Sequence, residues 1–391
     1  MSEGKTAGPE CDIAIAGAGL AGGLIALAFA KHRPEARLML VDGADRAGGN
    51  HIWSFFDSDV GAEEHALLTP LVAHRWEGGH EVRFPAYARR LAAPYNSISS
   101  ARFDAHLRDI LGDRLILGAR VAEMDGNSIC LTGGRRIDAR MAIDARGLAT
   151  DAALTCGWQK FVGQTLRLAT PHGLTRPVIM DATVEQIDGY RFVYVLPVGE
   201  RDIFVEDTYY SDAADLDAAA IRGRIAAYAA AQGYAVEAVV HEETGVLPVV
   251  KGGDFDSLWP ESDPVPRAGT RAGLFHPTTG YSVGLAAGFA LWLAGGSAVP
   301  SGNSAPLLRA QAKDHWRRGG FYRLLDTMLF DAAHPQDRYR IFERFYRLPE
   351  PLIERFYAGR TSAADKIRIL CGKPPVPIRA AMRAIWNQTR A

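Results

Sequence analysis

A glycine motif near the N-terminus constrains the fold of this chain more than any other feature. The motif is Gly17-Ala18-Gly19-Leu20-Ala21-Gly22, a complete G-x-G-x-x-G. An apolar run over 13–16 precedes it, as expected for a buried parallel strand. An Ala- and Leu-rich segment to about Lys31 predicts a helix, and 37–41 predicts a second strand that ends at Asp42. This order of elements predicts a dinucleotide-binding βαβ unit.

Each glycine of the motif has its own physical role. Gly17 permits the tight turn from strand to helix, Gly19 lets the backbone approach a pyrophosphate, and Gly22 lets helix and strand pack closely. The helix that begins near Leu20 offers unpaired N–H groups and a partial positive charge to the same anion. Asp42 lies 20 residues after Gly22, where a carboxylate can accept hydrogen bonds from ribose hydroxyls. We predict a cofactor site at these residues, and the motif alone leaves FAD and NAD both open.

Composition and charge exclude several classes of function. The chain has 391 residues, 48% of them hydrophobic and 23% charged, which is the mix of a globular protein with two or three packed regions. Its net charge is −1, so we expect no nucleic-acid partner. The 4 cysteines lack metal-ligand spacing, so we expect free thiols in a reducing compartment and no metal site. We find neither a signal sequence nor an apolar run of about 18 residues, so we expect no membrane span.

Predicted strands dominate the chain between residues 81 and 250. They cover 81–84, 114–117, 120–124, 128–131, 136–143, 161–168, 178–180, 190–196, 203–208, 235–241 and 245–250. Helices are predicted at 97–111 and 217–232. We therefore predict a discontinuous nucleotide-binding domain over 1–160 and 265–305, a β-sheet substrate domain over 161–264 and a helical region over 306–391.

A second glycine-rich segment, 266–284, leads into an apolar helix predicted over 282–294. Such a loop and helix would place a second positive helix end near the cofactor. Residues 305–391 are helical and basic, and they contain a dense apolar patch: Phe321, Tyr322, Leu325, Met328, Leu329 and Phe330. The patch predicts either a helical cap packed on the core, or a tunnel mouth or membrane-contacting face with a basic rim.

Longer matches connect the chain to a known family. They comprise the glycine motif of 12–42 and the segments 48–55, 171–174, 180–184, 189–194, 205–208, 275–282, 355–360 and 372–377. On these segments, which extend over nearly its whole length, the chain resembles bacterial lycopene β-cyclase. The resemblance implies a flavoprotein of the two-dinucleotide-fold type. Its fold class is α/β: a Rossmann-like FAD-binding domain, an inserted mainly antiparallel β-sheet substrate domain and a C-terminal helical region.

The resemblance also implies a reaction, catalysed by an intramolecular lyase of the isomerase class. Both ψ-ends of lycopene close into β-rings, through γ-carotene to β-carotene, without net redox change. A proton adds to C2 of the polyene, the C5=C6 double bond attacks the cation at C1, and the resulting C5 cation is relieved by loss of a proton from C6. The implied cofactor is FAD in its reduced form, whose negative charge would stabilise the carbocation.

Electron donor, location and partners are implied in the same way. NAD(P)H is a candidate donor, although no motif supports a site for it and an external reductant serves equally. The implied location is the cytoplasm, with peripheral association to the inner membrane. The implied partners are lycopene from the membrane, the membrane surface and other enzymes of the carotenoid pathway.

The match over 205–208 nominates Glu206 as the acid that protonates the polyene, because the family's proposed acid sits in this motif. Strand alternation places Phe204 and Glu206 on one face and Asp207 on the other. Burial against aromatic rings and hydrocarbon would raise the pKa of Glu206 and keep it protonated. The alternative is an exposed Glu-Asp pair near a strand end. Asp181 is a second candidate carboxyl, for deprotonation, for holding Glu206, or for a structural hydrogen bond.

Aromatic residues are the candidates for substrate binding. Tyr190, Phe192 and Tyr194 share one face of a predicted strand, and Phe204 shares the face of Glu206. They form either a wall that contacts the polyene or its cation, or ordinary core packing.

Further candidates for cofactor contacts lie in two loops: Gly49, His51, His276, Thr279, Gly280 and Tyr281. For His51 and His276 the alternative is packing in the core. Many related flavoproteins carry a Gly-Asp pair before the second loop, where Asp binds the ribityl chain. Here Gly273 is followed by Leu274, so we expect backbone groups around Gly280 to replace that contact.

Two other functions suit the same fold. A flavin-dependent monooxygenase or reductase acting on an isoprenoid or carotenoid would consume NAD(P)H stoichiometrically, whereas a cyclase needs only catalytic reductant. A non-catalytic isoprenoid-binding protein would be colourless, so a yellow protein that dithionite bleaches without oxygen would argue against it.

Overall fold

The computed structural model describes residues 9–149, 153–296, 301 and 304–371. Two segments noted above, 372–377 and the basic end of the chain, lie outside the described residues. The strands are β1 (Cys11–Ala16), β2 (Leu38–Val41), β3 (Ile52–Phe56), β4 (His74–Trp76), β5 (His80–Phe84), β6 (Tyr87–Leu91), β7 (Tyr95–Ser99), β8 (Leu115–Ile116), β9 (Val121–Met124), β10 (Ser128–Leu131), β11 (Arg136–Asp144), β12 (Leu154–Leu168), β13 (Val178–Asp181), β14 (Tyr190–Pro197), β15 (Asp202–Ser211) and β16 (Val236–Gly253). The helices are α1 (Leu20–His32), α2 (Ala62–Leu68), α3 (Ser100–Leu111), α4 (Ala218–Ala231), α5 (Phe255–Leu258), α6 (Val283–Ala294), α7 (Ala305–Arg318), α8 (Gly320–Thr327), α9 (Tyr339–Phe345), α10 (Glu350–Tyr357) and α11 (Ala363–Leu370).

The first sheet carries the glycine motif. Its strand order is β8-β2-β1-β11-β10-β9, and β1 runs parallel to both β2 and β11. β1 is buried on both faces: Ile13 and Ile15 pack with α1, whereas Ala14 and Ala16 face a second apolar cluster. This explains why the strand reads as a continuous apolar run in the sequence. The helix α1 is apolar on all sides because it lies between this sheet and α6.

The second sheet has the strand order β16-β12-β15-β14-β13-β5-β6. Its strands are antiparallel, except that β13 and β5 run parallel. One face, here called the back face, packs on α4 through a cluster that includes Val193 and Ile221. The other, here called the cavity face, carries aromatic rings and packs in part on the C-terminal helices, for example Tyr190 on Phe342.

The predicted fold class is confirmed: a Rossmann-like domain, a mainly antiparallel sheet and a helical C-terminal region are all present. The second sheet also takes β5, β6 and the start of β12 from residues before 161. The domain boundaries stay a prediction.

Two local differences from the predicted strands bear on the site. The sequence predicted separate strands at 235–241 and 245–250, whereas β16 is one 18-residue strand. Its middle, 242–244, pairs in register with β12. In addition, β3 and β7 were not predicted, and together with β4 they form a small 3-stranded sheet. Both differences add residues to the region between the two large sheets.

The apolar patch predicted in the C-terminal region is mostly packed inward. Tyr322, Leu329 and Phe330 are buried, and Phe330 lies against Tyr210 of the second sheet. This arrangement corresponds to the predicted helical cap. Within the described residues, no helix combines the length and apolar character needed to cross a bilayer.

Candidate active site

One continuous cavity of about 640 Å³ lies between the two large sheets and joins the glycine motif to the second sheet. The predicted site residues that line it are Gly17, Gly19, Leu20, Asp42, Gly49, His51, Phe192, Tyr194, Glu206, Thr279, Gly280 and Tyr281. The predicted residues outside its lining are Gly22, Asp181, Tyr190, Phe204 and His276.

The glycine motif has the geometry of a phosphate cradle. Gly17 has φ 107°, and a Cβ added there would lie 2.6 Å from the Ala145 carbonyl oxygen. A Cβ at Gly22 would lie 1.9 Å from the Gly17 carbonyl oxygen, so helix and strand pack too closely for any side chain. A Cβ at Gly19 would meet nothing within 4 Å, because this residue faces the open cavity at the N-terminus of α1. No acidic residue lies in the first turn of α1, which leaves the helix end free for an anion.

Charged side chains line the same end of the cavity. Asp42 Oδ2 accepts a hydrogen bond from the Ala18 N–H at 2.7 Å, and its Oδ1 accepts from the Ala44 N–H at 2.8 Å. Asp42 therefore holds the glycine loop as well as lining the cavity. Arg46 and Arg146 line it too and were not predicted, because the arginines stand in loops that carry no motif. Arg46 supplies positive charge to this end of the cavity, whereas the charge of Arg146 is partly compensated by its ion pair with the buried Asp144 at 2.8 Å.

The second glycine-rich loop closes the cavity from the opposite side. Val283, at the N-terminus of α6, lines the cavity, as expected for a second positive helix end. His276 is buried behind this loop: its Nδ1 accepts from the N–H groups of Thr278 and Thr279 at 3.3 Å each, and its Nε2–H donates to the Phe356 carbonyl at 3.0 Å. Burial lowers the pKa of His276 to about 3, so the ring is neutral and shapes the loop without reaching the cavity.

Cross-strand register brings Glu206 and a second carboxyl onto one row of the cavity face. On one side of the central strand β12, Gly163 pairs with Glu206 of β15; on the other it pairs with Glu243 of β16. Glu206 in turn pairs with Tyr194 of β14. Directly paired residues point to the same side of a sheet, so the row reads Tyr194, Glu206, Gly163, Glu243. The glycine leaves no side chain between the carboxyls.

Glu206 is held in an apolar setting. Its Oε1 accepts a hydrogen bond from Thr208 Oγ1 at 2.6 Å. Burial raises the pKa of Glu206 to about 7, against the opposing effect of the Thr208 hydroxyl. A carboxyl with such a pKa retains its proton in a large fraction of molecules near neutral pH.

Glu243 was missed in the sequence because it falls in the gap between two predicted strands. Its Oε2 accepts from the Ile52 N–H at 2.8 Å and lies 3.9 Å from Nδ1 of the half-exposed His51. Burial, with the nearby Glu206 charge as a second cause, raises the pKa of Glu243 to about 9. No local sequence signal reveals it, because residues 236–253 lack regular apolar–polar alternation and Glu243 reaches the row only through its pairing with Gly163.

The other candidate carboxyls lie on the back face. Asp207 is fully buried and forms a two-pronged ion pair with Arg191, with N–O distances of 2.8 and 3.0 Å. Asp181 accepts hydrogen bonds from Thr183 and from Tyr228 of α4. The alternation of Glu206 and Asp207 is therefore as predicted, and the position of Asp181 corresponds to its structural alternative.

Of the four aromatic residues predicted to bind substrate, two line the cavity wall and two are buried in the core. Phe192 and Tyr194 line the cavity, whereas Tyr190 is fully buried and stacks on Phe342 with ring centroids 4.4 Å apart. Phe204 is also fully buried; a Cβ added to Gly163 would lie 2.3 Å from its ring.

A chain of hydroxyl groups crosses the wall beside the carboxyl row. Tyr194 Oη lies 2.6 Å from Tyr95 Oη and 3.0 Å from Ser54 Oγ, and Tyr95 Oη lies 2.7 Å from Tyr281 Oη. This chain ties the second sheet to β3, β7 and the second glycine-rich loop, so it fixes the shape of the wall.

Comparison with known proteins gives the family. The sequence model described as Lycopene cyclase protein matches residues 12–383. Lycopene beta-cyclase of Pseudescherichia vulneris is 47% identical over 96% of this chain and 97% of its own length. That of Pantoea ananas is 45% identical over 98% of this chain and 100% of its own length.

Solved structures at low identity share the fold. A geranylgeranyl bacteriochlorophyll reductase-like protein from Thermoplasma acidophilum aligns with a TM-score of 0.62 at 14% identity, covering 97% of this chain and 99% of that one. Klebsiella pneumoniae HpxO, solved with FAD and uric acid, aligns with a TM-score of 0.61 at 15% identity, covering 94% and 98%. The resemblance noted in the sequence is confirmed, and this chain belongs to the lycopene cyclase family.

Proposed function

We propose that the protein closes both ψ-ends of lycopene into β-rings, through γ-carotene to β-carotene, by an acid-initiated reaction without net redox change. Family membership supports this activity. The observation that carries the mechanism is the position of Glu206, which faces the same cavity as the glycine cradle and lies among aromatic side chains. A carboxylic acid in such a setting can protonate a double bond that water would leave untouched.

The cavity suits FAD as the resident cofactor. Gly19 leaves room for a pyrophosphate at the N-terminus of α1, Arg46 adds positive charge, and the N-terminus of α6 lies across the cavity. When bound, reduced FAD would supply negative charge that stabilises a carbocation nearby. The second helix end and the backbone around Gly280 would hold the part of the cofactor that lies near the second sheet.

The chain's own residues would act on the polyene in a fixed order. Phe192 and Tyr194 would orient the terminal isoprene unit against the carboxyl row, since both line the cavity beside it. Glu206 would donate its proton to C2, and the aromatic faces would favour the positive charge that develops. The apolar wall would exclude water, which would otherwise trap the cation as an alcohol.

We further propose that lycopene reaches the cavity from a membrane surface at β16. Several apolar side chains of this edge strand are exposed: Val236, Val239, Val240, Val246 and Leu247. Leu247 also lines the cavity, so the exposed strip leads to it. Neighbouring Glu237 is paired with Arg201, which limits repulsion from anionic lipid. The predicted peripheral contact with the inner membrane from the cytoplasm, and contacts with other carotenoid-pathway enzymes, belong to the same proposal.

A vesicle experiment tests the membrane contact. Val239→Asp combined with Val240→Asp should reduce co-sedimentation with lycopene-loaded liposomes, whereas Leu307→Asp, which changes an exposed apolar residue of α7, should not. Equal co-sedimentation of both variants and the wild type would contradict this route.

Anaerobic turnover tests the activity itself. The purified, yellow protein is reduced with dithionite or NAD(P)H, mixed with lycopene in liposomes, and the products are separated. We expect many turnovers to γ- and β-carotene for each electron pair supplied. One NAD(P)H consumed per product, or an oxygenated or hydrogenated product, would instead indicate a monooxygenase or a reductase.

A further inference from the structure

The carboxyl row of the cavity face contains two carboxyl groups, whereas protonation of the polyene requires only one. Glu206 of β15 and Glu243 of β16 lie on either side of Gly163 of β12, and both line the cavity. Backbones two strands apart are separated by about 10 Å, and two glutamate side chains that lean over a glycine can bridge most of that distance. The electrostatic influence of Glu206 on Glu243 reflects this proximity.

Each carboxyl of this pair is anchored through one oxygen. Thr208 Oγ1 donates to Oε1 of Glu206, and the Ile52 N–H donates to Oε2 of Glu243. Among the described residues, none forms a hydrogen bond with the second oxygen of either group. Each side chain is therefore oriented by the protein and still has one oxygen available to a substrate in the cavity.

The titratable groups around Glu206 and Glu243 do not compete with the two carboxyls for their protons. In the part of the chain that the structure describes, the only ion-pair partner of either carboxyl is His51, 3.9 Å from Glu243, and burial lowers the pKa of its imidazole. Tyr194 of β14 lies beside Glu206, and its hydroxyl is linked through Tyr95 to Tyr281. Burial raises the pKa of all three tyrosines well above its ordinary value, so they stay neutral.

Two buried carboxyls at this spacing release their protons in two separate steps. Burial raises the pKa of Glu206 to about 7 and that of Glu243 to about 9, so between these values the pair holds one proton. The proton is shared between the two carboxyls and favours Glu243, the stronger base. The arrangement with Glu206 protonated and Glu243 ionised is the less populated and more reactive one, because it pairs the stronger acid with the stronger base.

We propose that Glu206 and Glu243 act as a donor–acceptor pair, in which Glu206 protonates C2 of the polyene and ionised Glu243 removes the proton from C6. This inference rests on the proposed cyclase function and assigns the proton acceptor for it. The O–H bond of Glu206 breaks as C2–H forms, and the electrons of C5=C6 form the C1–C6 bond. The C6–H bond then breaks, its electrons form the new C5=C6 bond, and the proton passes to Glu243. The pair ends with one proton, as it began.

The acceptor also determines which ring forms. A cation at C5 can lose a proton from C6, from C4 or from the methyl group on C5, which give β-, ε- or γ-type rings. A base fixed near C6 selects the first. Loss of that base should therefore change the products as well as the rate, and a change in products is a signature that a merely structural role would not give.

The test replaces Glu243 by Gln and uses the neighbouring Glu242→Gln as the matched control. Glu242 points to the back face, where Arg222 pairs with it at 2.7 Å. We expect E243Q to lose turnover by about 10²-fold or more and to make a mixture with ε- or γ-type rings. Its alkaline limit of activity should move to lower pH, because the wild-type pair keeps one proton up to pH of about 9, whereas Glu206 alone loses its proton near 7. E242Q should match the wild type in all three respects.

Flavin absorbance and thermal unfolding establish that each variant is folded and loaded. If E243Q does not fold, Glu243→Met fills the site without a polar atom and is measured in its place. A folded variant with wild-type rate, only β-rings and an unchanged pH profile would overturn the pair. Failure of the wild type to consume lycopene would overturn the proposed function instead, so the two failures are distinguishable.

Discussion

The two faces of the second sheet carry carboxyl groups from adjacent residues and treat them in opposite ways. On the cavity face, Glu206 and Glu243 lie among aromatic and backbone groups, and no described Arg or Lys forms an ion pair with them. On the back face, Asp207 is clamped by Arg191 and Glu242 by Arg222. Sequence neighbours thus enter different chemical environments because strand side chains alternate.

The difference shows that the partner, more than the residue type, determines the protonation of these groups. Arg222 lowers the pKa of Glu242 to about 2, whereas burial raises the pKa of Glu243, one residue further on, to about 9. For Asp207, burial raises the pKa and the Arg191 guanidinium opposes that effect. One face is therefore suited to hold ion pairs and the other to hold a transferable proton.

Removing one carboxyl from each face should give the largest contrast. Glu206→Gln should reduce turnover by about 10²- to 10⁴-fold, because the proton donor is lost, with little change in thermal unfolding. Asp207→Asn should instead destabilise the fold by about 3–5 kcal/mol, because it leaves the Arg191 charge buried without its partner. Turnover of reduced enzyme on lycopene and chemical denaturation measure the two effects. An E206Q protein that cyclises at the wild-type rate would contradict the comparison.

A single methyl group placed between the two carboxyls should have an intermediate effect. In Gly163→Ala the new Cβ would lie 2.3 Å from the Phe204 ring and 3.3 Å from Glu243 Cγ, so the cavity face must shift. We expect a loss of about 1–3 kcal/mol in unfolding free energy together with lower turnover. Gly223→Ala in α4, whose Cβ meets nothing within 4 Å, is the control and should gain about 0.5–1 kcal/mol. Equal stability of the two variants would be inconsistent with this packing.

The pH dependence of stability should show the smallest but most specific contrast. The folded pKa values of Glu206 and Glu243, about 7 and about 9, lie above the ordinary 4.5, so the native state holds more protons than the unfolded chain in this window. Stability from this pair is full below pH 4.5 and is lost as pH rises through 7 and 9.

Glu242 should behave in the opposite sense. Its folded pKa is about 2, so its contribution is present above pH 4.5 and is lost as pH falls through 2. We therefore expect chemical denaturation at a series of pH values to give two different curves of unfolding free energy against pH. E206Q/E243Q should flatten the curve on its alkaline side, and E242Q should flatten it only on its acid side. If the unfolding free energy of the double variant fell with alkaline pH as steeply as that of the wild type, Glu206 and Glu243 would not hold extra protons in the folded state.

Most of the nucleotide end of the cavity could be predicted from the sequence, because its requirements are local. Gly17, Gly19 and Gly22 act through backbone geometry within one turn, and the apolar strands on either side have a clear pattern. The acid end depends on register between distant strands. Alternation separated Glu206 from Asp207 and the family resemblance nominated Glu206, but Glu243 reaches the same face only through pairing with Gly163, which no local pattern encodes.

Two further site features were hidden from the sequence for similar reasons. His276 stands in a loop that does line the cavity, yet its ring turns inward to the Phe356 carbonyl, a partner 80 residues away. Arg46 and Arg146 come to the cradle from separate loops. Their positions depend on the packing of both sheets, so composition and periodicity cannot supply them.

The most direct measurement is the infrared titration of the reduced, flavin-loaded protein through the carboxylic-acid C=O band. The pair should hold one proton between pH of about 7 and about 9. Other buried carboxyls, such as Asp326, whose pKa burial also raises, contribute equally to wild type and variants and cancel in difference spectra. The wild-type minus E206Q/E243Q difference should therefore show one carboxylic-acid C=O band over this range, and the wild-type minus E242Q difference should show none. A wild-type minus double-variant difference without that band would contradict the claim that the cavity face stores the proton for cyclisation.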